Sequence, residues 1–130
     1  MKILEIETRS KEELIDITHL IAREVQSMGL KEGGVIVFVP HTTAGLTLNE
    51  NADPSVKRDI LLALRHMVPE NLPYSHSEGN SPAHVKASLC GSSLYLIVKE
   101  GKLWLGTWQG ITFCEFDGPR RRRLFLSAIK

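Results

Sequence analysis

The chain has 130 residues, 42% of them apolar and 24% charged, with a formal net charge of +1. That is the length of one domain with a core of its own, and the near-zero charge gives no global field toward nucleic acid or a membrane surface. The apolar runs fall far short of the ~18 residues that suggest a membrane span.

The N-terminal stretch, Met1-Lys-Ile-Leu-Glu-Ile-Glu-Thr8, carries acidic residues where a signal peptide would be apolar. Residues 2–9 alternate, Ile3, Glu5 and Glu7 against Leu4, Ile6 and Thr8, and predict a half-exposed strand. Ser10 with Glu13 forms a capping-box pair, and apolar Leu14, Ile17, Ile21, Val25 and Met28 predict an amphipathic helix over 11–28, closed near Gly29. Residues 33–40, Gly-Gly-Val-Ile-Val-Phe-Val-Pro, predict a strand buried on both faces, and Leu46–Asn49 a short second strand.

Asp53-Pro54 predicts a helix start, since the carboxylate caps free amides and Pro at the first helical position loses no hydrogen bond. The spacing carries that helix to about Val68, with Val56, Ile60, Leu61, Leu64 and Met67 inward. Pro69 and Pro73 punctuate a loop, and Ser81-Pro82 begins a short helix to Leu89. Strands follow at Ser93–Val98, Leu103–Trp108, Ile111–Phe116 and Arg121–Ala128, with a turn at Glu100-Gly101. Strands surround three helices without a βαβα rhythm. The expected fold is therefore α+β with a mainly antiparallel sheet, in one domain over 1–130. The two cysteines, Cys90 and Cys114, have no metal-pair spacing and read as free thiols in a reducing cytoplasm, though they also permit one disulfide.

Residues able to do chemistry gather at the element boundaries. His41 follows an apolar run and opens His41-Thr-Thr-Ala-Gly-Leu-Thr-Leu-Asn-Glu50; His76 lies in the polar loop Tyr74–Asn80; His84 lies in the first turn of the Ser81 helix. Imidazoles from three separate segments are what an open metal site requires. Asn49, Glu50, Asp53, Glu78 and Asn80 are candidate partners for their second ring nitrogens. No single segment is a metal motif, and each histidine taken alone reads more readily as a loop or capping residue than as a functional one. His19 and His66, inside helices, read as surface or boundary residues.

Glu50 is a candidate general base or metal support, whereas Asp53 reads as a cap. Gly106-Thr-Trp-Gln-Gly110 presents Trp108 and Gln109 from a tight turn or bulge, or else is a hairpin whose Trp packs on its own sheet. In Arg120–Arg123 alternate residues diverge. One pair suits a bidentate clamp on phosphate or carboxylate, the other an ion pair with Glu115 or a neighbouring subunit. Four basic residues in a nearly neutral chain are a weak nucleic-acid signal. Cys114, inside a strand with no sequence-local histidine, reads as a buried thiol.

Taken together, His41-Thr-Thr-Ala-Gly-Leu-Thr-Leu-Asn-Glu-Asn-Ala-Asp53, Gly79-Asn80 with Ala83-His-Val-Lys-Ala-Ser88, and Leu105-Gly-Thr-Trp-Gln-Gly-Ile111 through Cys114-Glu-Phe-Asp-Gly-Pro-Arg-Arg-Arg122 resemble the YjbQ family, also called the secondary thiamine-phosphate synthase family. The likeness spans about residues 3–129, and Ser81-Pro82 is its least typical point. The resemblance implies a compact α+β domain assembled as a homotrimer, with sites between subunits. It implies that His41, His76 and His84 cluster and hold a metal or an anion, with Glu50, Asn80, Ser88, Trp108, Gln109 and Arg120 or Arg121 around them. It also implies a weak capacity to form thiamine phosphate.

Two functional classes follow. In the first, the chain is an enzyme on a small phosphorylated metabolite, assisted by a divalent metal, zinc foremost among the metals that suit imidazole. There His41, Glu50 and Gln109 are catalytic and Asn80, Ser88, Trp108, Arg120 and Arg121 bind substrate. In the second, the same residues form a non-catalytic metal- or anion-binding module at a homotrimer interface.

Overall fold

The structure, a computed structural model, describes residues 1–129. In chain order its elements are β1 Lys2–Glu7, β2 Glu13–Asp16, α1 Thr18–Ser27, β3 Glu32–Phe38, β4 Ala44–Glu50, α2 Pro54–Met67, α3 Ser81–Cys90, β5 Ser93–Lys99, β6 Lys102–Leu103, β7 Gln109–Glu115 and β8 Arg121–Ile129. The strands form a five-stranded sheet in the order β1-β8-β3-β5-β6 and a three-stranded sheet in the order β2-β7-β4. All these pairings are antiparallel, so the expected α+β class with three helices holds.

Strand alternation builds the core. Val35 and Val37 of β3, Leu96 and Val98 of β5, and Leu124 and Leu126 of β8 turn to one face of the large sheet. They meet Ile21 and Val25 of α1, and Leu46, Ile111 and Phe113 of the small sheet. The opposite face of β7 carries Cys114, which with Phe116 packs under Leu64 of α2 and Ala83 and Ala87 of α3. Burying side chains of this size stabilises by about 1.5–3 kcal/mol each before ordering costs.

Four expectations are corrected. The helix predicted over 11–28 is a strand, β2, followed by the shorter α1. Leu14 and Ile17 lie three apart as in a helix, but Leu14 pairs opposite Cys114 in the β2–β7 ladder, so tertiary pairing overrides the helical period. The capping-box contact survives without its helix: Ser10 and Arg9 N–H donate to Glu13 Oε2 at 2.8 and 2.6 Å in a turn.

β3 is not buried on both faces. Phe38 on its outer side is 40% exposed, and the strand enclosed on both sides is β7. The Leu103–Trp108 strand reduces to β6, after which the chain leaves the sheet. Met67 of α2 is exposed rather than inward.

Other local signals hold. Asp53 accepts hydrogen bonds from Ser55 N–H and Oγ–H at 2.9 and 2.7 Å. The turn at Glu100-Gly101 has positive φ at both residues, 52° and 77°. No helix among the described residues is long and apolar enough to cross a membrane.

Candidate functional site

His41 leaves the end of β3, and Thr42-Thr43 carry the chain into β4. Opposite them stands α3, which presents His84 and Ser88 one turn apart on the same helix. Between lies an open cleft of about 500 Å³ lined by His41, Thr42, His84, Ser88 and Ser92. A second cleft of about 260 Å³ adjoins it, sharing Thr42 and His84 and adding Thr43, His76, Asn80 and Arg120. Glu78 and Asp117 also line the second cleft. His76 and His84 meet edge to face, their ring centroids 5.4 Å apart.

Several polar groups at this junction have definite partners. Arg123 backbone N–H donates to His41 Nε2 at 2.9 Å. Asn80 Nδ2 donates to Asp117 Oδ2 at 2.9 Å, while Asn80 Oδ1 is buried with no donor among the described residues. Arg120 is tied to Asp117 through the main-chain oxygen at 2.9 Å and the carboxylate at 3.0 Å. Ser88 Oγ–H donates back to His84 O at 2.9 Å, which leaves its oxygen free to accept.

Behind His41 lies a buried ion pair. Arg122, on the inner face of β8, donates through Nε to Glu115 Oε1 at 2.9 Å and through Nη2 to Glu115 Oε2. The same Nη2 reaches Thr43 Oγ1 at 2.9 Å, and Thr8 Oγ1–H donates to Glu115 Oε1 at 2.7 Å. Burial pushes the Glu115 carboxyl up, but the bonds from Arg122, Thr8 and Asp117 N–H outweigh it and hold it below the usual carboxylate range.

His41 titrates below its ordinary 6.5, first because it is partly buried and then because Arg122, Arg120 and Arg123 are close, with Glu115 alone pulling the other way. A ring that protonates less readily when folded favours the unfolded chain in acid. Protonation also removes the acceptor that Arg123 N–H uses. Between about pH 7 and about pH 5 the wild type should therefore lose more thermal stability than His41→Gln. Melting curves at stepped pH check this, and equal slopes would count against it.

The expected site residues fall into two groups. His41, His76, Asn80, His84, Ser88 and Arg120 surround the paired clefts. Glu50, Trp108 and Gln109 lie together elsewhere: Glu50 pairs opposite Gln109 at one end of the β4–β7 ladder, and Ala44 pairs opposite Glu115 at the end near His41. Six residue steps separate those ends, about 20 Å at strand rise.

Glu50 Oε2 accepts from Ala52 N–H at 3.0 Å, and Gln109 Oε1 accepts from Gly106 N–H at 2.8 Å, closing the glycine loop. Trp108 is 65% exposed beside them, so its side chain does not pack on its own sheet. Arg121 does not reach the clefts; it pairs with Glu5 and Glu7 of β1 on the outer face of the large sheet. His19 and His66 are exposed on their helices, as expected.

No group of three or more His, Cys, Asp or Glu side chains among the described residues is arranged to hold a metal ion. The three-imidazole set therefore fits a metal only in part within one chain, because His41 Nε2 is taken by Arg123 N–H. Sequence reasoning did not single out Thr42, Thr43, Asp117 or the Arg123 amide. The two threonines adjoin His41 and were within reach, whereas a backbone amide leaves no mark on a sequence.

The sequence pattern of the UPF0047 protein YjbQ-like family matches residues 2–130. The chain belongs to that family. It is 54% identical to the UPF0047 protein of Methanocaldococcus jannaschii over 125 residues, covering 96% of this chain and 91% of the relative. It is 48% identical to Bacillus subtilis YugU over 130 residues, covering 99% and 98%. Among solved structures, a YjbQ/UPF0047 protein of Clostridium acetobutylicum superposes with TM-score 0.96 at 52% identity, covering 99% of this chain and all of that one. A Thermus thermophilus protein does so with TM-score 0.92 at 40% identity, covering 99% and 100%. These relatives establish UPF0047 membership and fold; the C. acetobutylicum protein is described as uncharacterized, and none of these four names carries thiamine-phosphate synthesis.

Proposed function

We propose that this UPF0047 protein is an enzyme for a small phosphorylated metabolite, held at the junction of the paired clefts. The observation that carries the reading is the donor set there: Arg120, the Thr42 and Thr43 hydroxyls and the imidazoles of His41, His76 and His84 line two clefts that meet at Thr42 and His84. Donors lining one opening suit phosphate oxygens, and Arg120 adds its charge and the nitrogen that its bonds to Asp117 do not use. Thiamine-phosphate formation is one reaction of this class. There a pyrimidine diphosphate loses pyrophosphate, the thiazole nitrogen bonds to the carbon left behind, and Arg120 with the histidines would take up the leaving charge.

Calorimetric titration with inorganic pyrophosphate tests the reading. His41→Ala and Arg120→Ala should each weaken binding about tenfold or more, the loss of one charged or well-placed donor. Unchanged affinity in both folded variants would remove phosphate from the cleft. Binding without turnover of phosphate esters or diphosphates would favour the non-catalytic module built from the same contacts.

A second reading, a divalent metal with zinc foremost, is favoured by Asn80 Oδ1, a buried acceptor without a donor beside the His76–His84 pair. Those two imidazoles and the amide oxygen would hold it, and bound there it would polarise a phosphoryl oxygen. Metal analysis of protein purified without chelator, beside His76→Ala/His84→Ala, tests this reading separately from the pyrophosphate titration. The assembly we propose is a homotrimer. The count of three is what the YjbQ-family resemblance implies, and the apolar outer face of the large sheet, where Phe38, Tyr95 and Ile97 stand exposed, supports an interface between copies.

A further inference from the structure

We infer that His41 is a fixed hydrogen-bond donor, held in its Nδ1–H form by the Arg123 main chain, and that it presents this proton to an oxygen of an anionic group in the cleft. A neutral imidazole carries one proton on two nitrogens, and the nitrogen that accepts a hydrogen bond is the one without it. Arg123 N–H occupies Nε2 at 2.9 Å, so the proton resides on Nδ1. Nδ1 has no partner among the described residues and is not among the buried unpartnered atoms, so it is open to solvent, and His41 is one of the residues that line the cleft.

The amide that imposes this form is itself well placed. Arg123 pairs opposite Glu5 of β1, while the β3–β8 pairing ends at Phe38 and Phe125. Continued past Phe38, that register would set Pro40 opposite Arg123, and the side chain of the following residue, His41, supplies the acceptor there. Its imidazole thus continues the β3–β8 ladder by a side chain. Fixing the ring needs no extra side chain, since the donor is a main-chain amide of β8 that lies beyond the last β3–β8 pair.

This assignment gives His41 a role different from that of a base or a metal ligand through Nε2. A donor aimed at the cleft binds acceptors and rejects ligand groups that are themselves donors. It does so as a neutral group, so it adds no charge to be neutralised when the ligand leaves. The anion part rests on the phosphorylated-ligand reading above; the tautomer does not.

Long-range proton–nitrogen NMR on protein with labelled histidine tests both, with the His41 signals assigned by their loss in His41→Gln. At neutral pH the expected spectrum has protonated Nδ1 and unprotonated Nε2 for His41. Addition of inorganic phosphate should then move the Nδ1 resonance most. An Nε2–H ring, or a rapid mixture of both forms, overturns the inference whatever phosphate does. An Nδ1–H ring that phosphate leaves unmoved supports the fixed tautomer and overturns the anion part together with the phosphorylated-ligand reading.

Discussion

Arg122→Ala should unfold the protein or bring it close to that, at a cost of about 3–5 kcal/mol, because it strands the Glu115 carboxylate in the core. The two side chains are 2% and 0% exposed and lie on facing inner surfaces, Arg122 on β8 of the large sheet and Glu115 on β7 of the small one. They clamp the sheets at the end of the core where alternation would otherwise set two apolar residues. The clamp also reaches Thr43 through Arg122 and Thr8 through Glu115, so it ties four segments of the chain, and Arg122→Ala cuts the bonds to Glu115 and Thr43.

Chemical denaturation of Arg122→Ala beside the wild type measures the loss, and a change under about 1 kcal/mol would show that water reaches Glu115. The pair Arg122→Met with Glu115→Leu should recover most of the stability, since replacing both charges with apolar groups of similar volume is often neutral or better. The pH dependence has a fixed sign. Glu115 titrates below its ordinary 4.5, so its contribution is present above that value and is lost as pH falls through the lower native one. The double variant should lack this acid-sensitive part.

That clamp marks how far the sequence could be read. Alternation in Ile111–Phe116 and Arg121–Ala128 was plain, and it correctly separated Arg122 from its neighbours and left Glu115 as a possible partner. It could not decide which arginines face inward, because parity within a strand says nothing of which side the core lies on. The 11–28 region failed for a different reason. Leu14 and Ile17 satisfy a helical spacing, and only the presence of β7 beside them, almost a hundred residues later, turns the first of them into a strand residue.

The histidine cluster was legible in its parts. Each of the three imidazoles sits at an element boundary, and such boundaries converge at the ends of strands. Their spacing could not reveal that one ring nitrogen is occupied by a main-chain amide, nor that Glu50 and Gln109 lie at the far end of the same ladder from His41.

Ile97→Glu should convert the proposed trimer into a monomer while leaving the fold of each chain unchanged. Register puts Ile36 and Phe38 of β3, Tyr95 and Ile97 of β5, and Ile3 and Phe125 of the β1–β8 pair on one outward face. Phe38 and Phe125 stack there at 6.2 Å, and the Tyr95 ring covers Gly34, where a Cβ would come within 2.7 Å of it. A face this apolar, rimmed by Arg121, Glu5 and Glu7, is the pattern of a surface that meets another protein surface. Ile97 is 56% exposed in the single chain, so a carboxylate there costs the monomer little. Buried without a partner between subunits it would cost several kcal/mol. Light scattering on both proteins decides the matter: three chains for the wild type and one for Ile97→Glu is the expected result, and a monomeric wild type overturns the assembly. The outcome bears on the site as well. Glu50, Trp108 and Gln109 stand about 20 Å along the ladder from the clefts, beyond the reach of any side chain in the same subunit. If they act on the ligand bound beside His41 and His84, they must come from a neighbouring copy, and a protein that stays monomeric leaves them outside the reaction.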